Sequence, residues 1–409
     1  MKFLYWLESI RNPFFDWFFS TVTHLGDETA FLLIAIFIFW CVNKRSGYYL
    51  MISGFFGTII NQVMKLVCKV PRPWVNDPKF TTVGGAKETA PGYSFPSGHS
   101  QNSVNTFGAI FLTTGRRWLR IVCIVIAILV PFSRMYLGVH TPWDVVAGAA
   151  CALVILISLE PLFKNDKLFP KAMPILIGVL TAGSIAFFIY SCIAIKATPA
   201  DVNVQSAFKN AGTMLGCSAG IILVYTMDAL VVKFETNAAW YSQIIKFAVG
   251  GGIVFLIKSL LKTPLAALMG DYERIVRYFL IVAFAGVVWP LTFGFFANLR
   301  FAALDRFGLK VVGFVTRTPV TEEQLAAVST AKTKKTRTVG FTTVTEEEET
   351  PVKTVAEYTL NTTKDYRKIS ARANAARKRA AKPASVTEAP IMEAPEAQDV
   401  KSDTDTTEA

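Results

Sequence analysis

Nine mostly apolar runs fill the first three quarters of the chain, at roughly 28–43, 47–68, 100–114, 118–136, 142–163, 172–196, 210–232, 243–262 and 276–299. About 20 apolar residues cross a bilayer as one helix, because only helices and closed barrels satisfy every backbone polar group there. The runs therefore predict an all-α, polytopic membrane helix bundle. A further segment, Phe3–Leu25, is rich in Phe and Trp but carries Glu8, Arg11, Pro13 and Asp16. It either spans or lies in the interface. Those interruptions, with no small-residue cleavage site after them, argue against a signal peptide. Only 18% of residues are charged, well below the usual quarter of a soluble domain.

Loop charges give an orientation. Lys44 and Arg45, then Arg116, Arg117 and Arg120, then Lys164, Lys167 and Lys171 fall on one face if the helices alternate. The excess of Lys and Arg makes that face cytoplasmic. The segment Lys69–His99 and the turn Arg134–Thr141 then lie outside, and the tail after Arg300 lies inside. From Gly313 onward there are 15 basic and 15 acidic residues, so the net charge of +12 belongs to the apolar part. No clustered basic face of a soluble domain precedes the tail, which excludes a nucleic-acid partner. The tail itself reads as low-complexity and disordered, cytoplasmic, with an alanine-spaced basic stretch from Arg367 to Lys382. The six cysteines sit in or beside apolar runs with no CxxC pair, and they read as small buried residues.

The chain has only three histidines, His24, His99 and His140, so few groups can move protons near neutral pH. Two of them fall in three short motifs that share one expected face. The first is Lys65, six residues, then Arg72-Pro73. The second is Pro96-Ser97-Gly98-His99, placed where a helix starts. Ser97 suits the N-cap, Gly98 allows close backbone approach, and free N–H groups there favour an anion. The third is Ser133-Arg134, five residues, His140, three residues, Asp144. On a helix the last two share a face, and Asp144 can hold one imidazole nitrogen and leave the other nucleophilic. Each motif alone has a plain structural reading: a snorkelling lysine, a helix cap, a structural His–Asp hydrogen bond. Together they gather three cations, two histidines and one carboxylate, which suits an oxyanion better than a metal. His24 has no motif around it and reads as structural.

With K-x6-RP, PSGH and SR-x5-H-x3-D all present, the sequence resembles the class 2 phosphatidic acid phosphatase and vanadium haloperoxidase superfamily, in its integral-membrane lipid phosphatase branch. The resemblance covers roughly residues 1–163. It implies a six-helix phosphatase core there, about four additional transmembrane helices over 164–312, and the tail over 313–409. It implies His140 as the nucleophile forming a phosphohistidine, Asp144 as its orienting carboxylate and His99 as the proton donor to the leaving oxygen. Lys65, Arg72 and Arg134 would hold the phosphoryl oxygens, with hydrogen bonds from Ser97 and the Gly98 N–H. No metal and no cofactor is implied. A helix N-terminus opposes a positive imidazole at His99, so bound phosphate would have to restore its proton.

The expected substrate is a phospholipid or polyprenyl diphosphate in the membrane, met at the extracytoplasmic face, with the plasma membrane as the expected location. A lipid-phosphate phosphotransferase, a sugar-phosphate phosphatase and a non-enzymatic lipid transporter stay open as alternatives. The four-residue glycine repeat Gly212, Gly216 and Gly220 reads first as a helix-packing surface.

Overall fold

The computed structural model describes residues 1–310 except Thr89, Arg300, Ala302 and Leu309, together with the backbone of Arg337–Val339 and Thr342–Val344. Those two strands pair antiparallel, in a Thr- and Val-rich stretch that suits extended backbone. The remainder of the expected disordered tail lies outside the described residues.

The N-terminal half is a run of helices: α1 (Lys2–Ser9), α2 (Pro13–Val22), α3 (Glu28–Phe37), α4 (Lys44–Cys68), the short α5 (Pro73–Asn76), α6 (Gly98–Thr113), α7 (Arg117–Tyr136) and α8 (Pro142–Lys164). Then come α9 (Phe169–Ala197), α10 (Val202–Met227), α11 (Trp240–Leu260), α12 (Lys262–Met269), α13 (Glu273–Ala283) and α14 (Phe293–Asn298). Local sequence explains the boundaries that matter. Asn43 caps α4 by accepting from Ser46 N at 2.9 Å. Pro142 sits in the first turn of α8, where its missing N–H costs nothing. Thr141 and Asp144 form a reciprocal capping box there, each side chain accepting from the other's backbone N–H.

Six stretches are long and apolar enough to cross a membrane: Lys44–Asn76, Arg117–Tyr136, Pro142–Lys164, Phe169–Ala197, Val202–Val232 and Trp240–Asn298. Pro13–Gly26 and Glu28–Val42 form a seventh only as a pair bent by 53°. Two features of the nine expected runs differ among these stretches. Helix α6 has 16 residues and a buried polar face of Ser100, Gln101, Ser103, Asn105 and Thr106. Trp240–Asn298, at 59 residues, is far longer than one crossing needs. It breaks at α12 and Gly270–Tyr272 and folds back so that Gly250 of α11 meets Trp289, and it holds both expected runs, 243–262 and 276–299. The outward faces are apolar, with Ile128 63% and Ile157 62% exposed, as lipid-facing residues are.

The ambiguous first segment is not one helix. Leu4 and Leu7 of α1 are fully buried in a cluster with Phe80, Tyr136, Leu137 and Val139. Asp16 accepts from Tyr136 Oη at 2.7 Å, and Arg11 Nε donates to Tyr136 O at 3.1 Å. These contacts pin the N-terminus to the end of α7, just before His140.

A larger apolar cluster runs from Ala35 and Trp40 through Leu156 and Ala211 to Trp289 and Phe296 without interruption. Helices beyond residue 164 therefore share one core with α3, α4, α6 and α8. Lipid offers no apolar driving force for such association, so close approach of small residues carries it. The glycine repeat on α10 is that surface. A Cβ on Gly216 would lie 2.2 Å from the Ile275 carbonyl oxygen, and one on Gly220 would lie 2.7 Å from Val282. Gly216→Val is expected to push α13 off α10 at a cost of about 1–3 kcal/mol. A lowered thermal midpoint in detergent checks this, with Gly251→Val, where a Cβ meets open space, as the unaffected control.

Candidate active site

Alternating helix directions bring the three motifs to one end of the bundle. Lys65 ends α4, Arg134 ends α7, and His99 and Asp144 begin α6 and α8. At the other end, Arg45 pairs with Asp166 and donates to Asn165 O at 2.9 Å, so two of the basic loops meet there. Gly148 on α8 lets the PSGH loop lie against it, since a Cβ would sit 2.4 Å from Ser97 O. Ser97 N donates to Asp144 O at 2.9 Å. Gly138, at φ +80, makes the left-handed turn that carries the chain from α7 to His140.

A cavity of about 440 Å³ opens at this end, lined by Lys65, Arg72, Gly98, His99, Arg134 and His140. The imidazole of His140 is buried. Arg72 Nη1 lies 2.9 Å from its Nε2. Burial first, then the charges of Arg72, Lys65 and Arg134, push His140 well below the ordinary histidine value. It is therefore a neutral imidazole near pH 7, as a nucleophile must be.

The cations are held by backbone carbonyls. Arg72 donates to Gly92 O at 3.0 Å, Pro91 O at 2.9 Å and Val139 O at 2.9 Å. Lys65 Nζ donates to Tyr93 O. Arg134 is fully buried and donates one N–H to Thr23 Oγ1 at 2.9 Å. Its Nε and Nη2 have no hydrogen-bond partner among the described residues. Buried guanidinium donors left unpaired are costly, and they are what a phosphoryl oxygen would satisfy.

Two residues differ from the sequence expectation. Ser97 does not line the cavity; it is buried behind it, its Oγ accepting from Ser100 Oγ at 2.8 Å and capping α6. Gly98 does line the cavity, and a Cβ there would meet only Asn61 Oδ1 at 3.9 Å, which leaves room for a ligand. Asp144 lies 3.6 Å from His140 Nδ1, beyond hydrogen-bond reach. Its Oδ2 is taken by Thr141 N at 2.7 Å and Ser94 Oγ at 2.6 Å, while Ser94 Oγ also lies 3.4 Å from His140 Nδ1. Capping of α8 competes for the carboxylate, so Ser94 stands between the two.

The sequence reading missed Asp27. Its Oδ1 lies 2.8 Å from His99 Nε2 and its Oδ2 2.8 Å from His24 Nδ1. His24 is thus a partner in the site's surroundings, although its own side chain is 63% exposed. That carboxylate opposes the surrounding positive charge, yet burial first and then the charge of Arg134 still hold the His99 imidazole down to about 4. Bound phosphate would therefore have to restore its proton. Asn61, four residues before Lys65 on α4, also lines the cavity.

Residues 44–168, which hold all three motifs, match the PAP2 superfamily, and residues 208–300 match the PAP2 superfamily phosphatase transmembrane extension. The chain belongs to the PAP2 superfamily. The PAP2 domain accounts for α4 to α8, and the extension begins within α10. Among curated relatives, undecaprenyl-diphosphatase of Sulfolobus acidocaldarius is 35% identical over 28% of this chain and 53% of its own length. Phosphatidylglycerophosphatase B of Bacillus subtilis is 28% identical over 39% of this chain and 81% of its own. Sphingosine-1-phosphate phosphatase 1 of Mus musculus is 25% identical over 63% of this chain and 62% of its own. The chain thus spans between about half and four fifths of these relatives. The 270-residue match to the mouse protein is longer than the PAP2 domain, so it reaches beyond it.

Proposed function

We propose that the protein is an integral-membrane phosphatase that hydrolyses a lipid phosphate or diphosphate ester through a phosphohistidine on His140. The observation that carries this reading is the meeting, in one cavity, of a neutral buried imidazole with Lys65, Arg72 and Arg134. Phosphoryl transfer asks mainly for positioning and for charges aimed at the oxygens, and that is what these residues offer.

A phosphoryl oxygen that takes the Nη1 donor of Arg72 frees the lone pair of His140 Nε2. Nε2 attacks phosphorus, the P–N bond forms and the P–O ester bond breaks. His99 gives its proton to the leaving oxygen. Water then attacks phosphorus, His99 takes the water's proton, and the P–N bond breaks to release phosphate and neutral His140. Ser94 and Asp144 hold the far side of the His140 ring, and Asp27 holds His99.

The membrane-edge position of the cavity and the lipid-phosphatase names of the relatives support an amphiphilic substrate. By the loop charges, the site faces the extracytoplasmic side and the tail the cytoplasm, with the plasma membrane as the location.

The test is phosphate release by purified protein from a panel of lipid phosphates and diphosphates in EDTA, over a range of pH. Activity is expected to persist in EDTA and to follow a bell. Falling pH protonates His140 and stops attack; since that imidazole lies below its ordinary value, the acid limb lies below about pH 6.5. Rising pH strips the proton that bound phosphate restores to His99, whose imidazole otherwise lies at about 4. Inactivity on every phosphate tested, or a rate that climbs without limit into acid, would overturn the proposal.

A further inference from the structure

The cavity has a second wall, built by helices outside the three motifs. Ser206, Lys209 and Asn210 of α10 and Arg274 of α13 line it together with His99 and His140. Residues 203, 206, 207 and 210 follow the i, i+3, i+4, i+7 spacing of one helix face. On that face the apolar α10 turns polar only where it meets the cavity. The neighbouring Val204 and Ala211 are buried in the shared apolar core. The placement is fixed. A Cβ on Gly212 would lie 3.7 Å from Arg274 Cβ, so the glycine repeat that seats α13 on α10 also sets Arg274 at the rim. At the base of the wall, Tyr93 Oη donates to Asp201 Oδ2 at 3.3 Å, while the Tyr93 carbonyl accepts from Lys65 Nζ. One residue thus ties the phosphate-binding lysine to the start of α10.

The chemistry of this wall is lopsided. Lysine and arginine donate hydrogen bonds and accept none, and asparagine and serine each add donors. Among the described residues, neither Lys209 nor Arg274 has a carboxylate within 4 Å. The lining carboxylates are Glu28 and Asp27, and Asp27 is already held by two histidines. A donor-rich wall is poorly matched to a bare hydrocarbon next to the phosphate and well matched to oxygen.

We infer that α10 and α13 form a headgroup subsite for a lipid phosphate whose alcohol carries oxygen substituents within a few carbons of the ester. This rests on the phosphatase reading above. Ser206, Lys209, Asn210 and Arg274 bind those oxygens, while Lys65, Arg72 and Arg134 take the phosphoryl group. The additional helices thereby select the substrate rather than serve only as membrane anchors.

The experiment compares two phosphomonoesters of equal chain length in mixed micelles: a plain alkyl phosphate and a monoacylglycerol phosphate. The wild type is expected to prefer the oxygenated lipid in kcat/KM by about 10-fold or more. Asn210→Ala with Arg274→Gln is expected to cut that preference ratio by about 10-fold, toward unity, mainly through KM. The ratio is insensitive to partial unfolding, which lowers both rates together; Lys209→Ala gives an independent measurement of the same ratio. No preference in the wild type, or a ratio unmoved by both variants, would overturn the subsite. Absence of phosphate release from either lipid by the wild type would instead remove the phosphatase reading beneath it.

Discussion

His140→Ala is expected to abolish phosphate release, lowering kcat by about 10⁴-fold or more, with the fold intact. In the proposed mechanism the imidazole supplies the atom to which phosphorus bonds, and removing a nucleophile typically leaves only the catalysis due to binding and charge. Lys65, Arg72 and Arg134 remain in the variant, so lipid phosphate should still bind, with a Kd within about 10-fold of the wild-type value. Rapid acid-free quenching of wild type during turnover should trap labelled phosphate on His140, and the variant should trap none. A variant that retains more than about a tenth of the wild-type rate would place the nucleophile elsewhere. Loss of both activity and binding would indicate that His140 serves the architecture, since its neighbour Val139 carries the carbonyl that Arg72 binds.

Asp27→Asn carries the second largest expected effect. The carboxylate lies 2.8 Å from His99 Nε2 and is the negative group that favours the imidazolium in a site crowded by Arg134 and Arg72. Asparagine keeps the size and removes the charge, so less His99 carries a proton at neutral pH. With a lipid alcohol as leaving group, kcat/KM should fall by about 10²-fold, the scale of general acid catalysis. The alkaline limb of the profile should move to lower pH. With p-nitrophenyl phosphate, whose leaving oxygen needs no proton, the loss should be under about 10-fold. A merely structural role would reduce both substrates alike, and that result would sink the assignment. Position 24 offers a control: His24→Gln leaves Asp27 in place and should act far more weakly.

Much of this site is legible in the chain because its chemistry sits in three compact motifs. Lys65, Arg72, His99, Arg134 and His140 all reach one cavity, as helix ends alternating across a bundle require. The sequence could not reveal what tertiary packing decides. Asp27 precedes His99 by the helices α3, α4 and α5, and lies in an unremarked stretch, Gly26-Asp27-Glu28. Asn210 and Arg274 meet the cavity only because Gly212 and Gly216 let two distant helices touch. Ser97 caps α6 as its position suggested. Asp144 illustrates a competition that pattern reading does not weigh, since capping α8 holds a carboxylate otherwise expected at the imidazole. Helix α6 is short and polar because it is surrounded by protein rather than lipid.

In the proposed mechanism, the contact between Arg72 and His140 Nε2 makes the resting nucleophile a guarded one. An ester that cannot outbid the imidazole for that guanidinium leaves the lone pair occupied, however closely it approaches. A phosphate dianion can compete, and a neutral triester or carboxylic ester cannot. The guard thus filters by charge before any transition state forms, and it protects a reactive imidazole from stray electrophiles in the membrane. Free inorganic phosphate satisfies the same guanidinium, so the enzyme should slow in its own product. The rate of lipid turnover would then follow the phosphate concentration on the side of the membrane where the cavity opens.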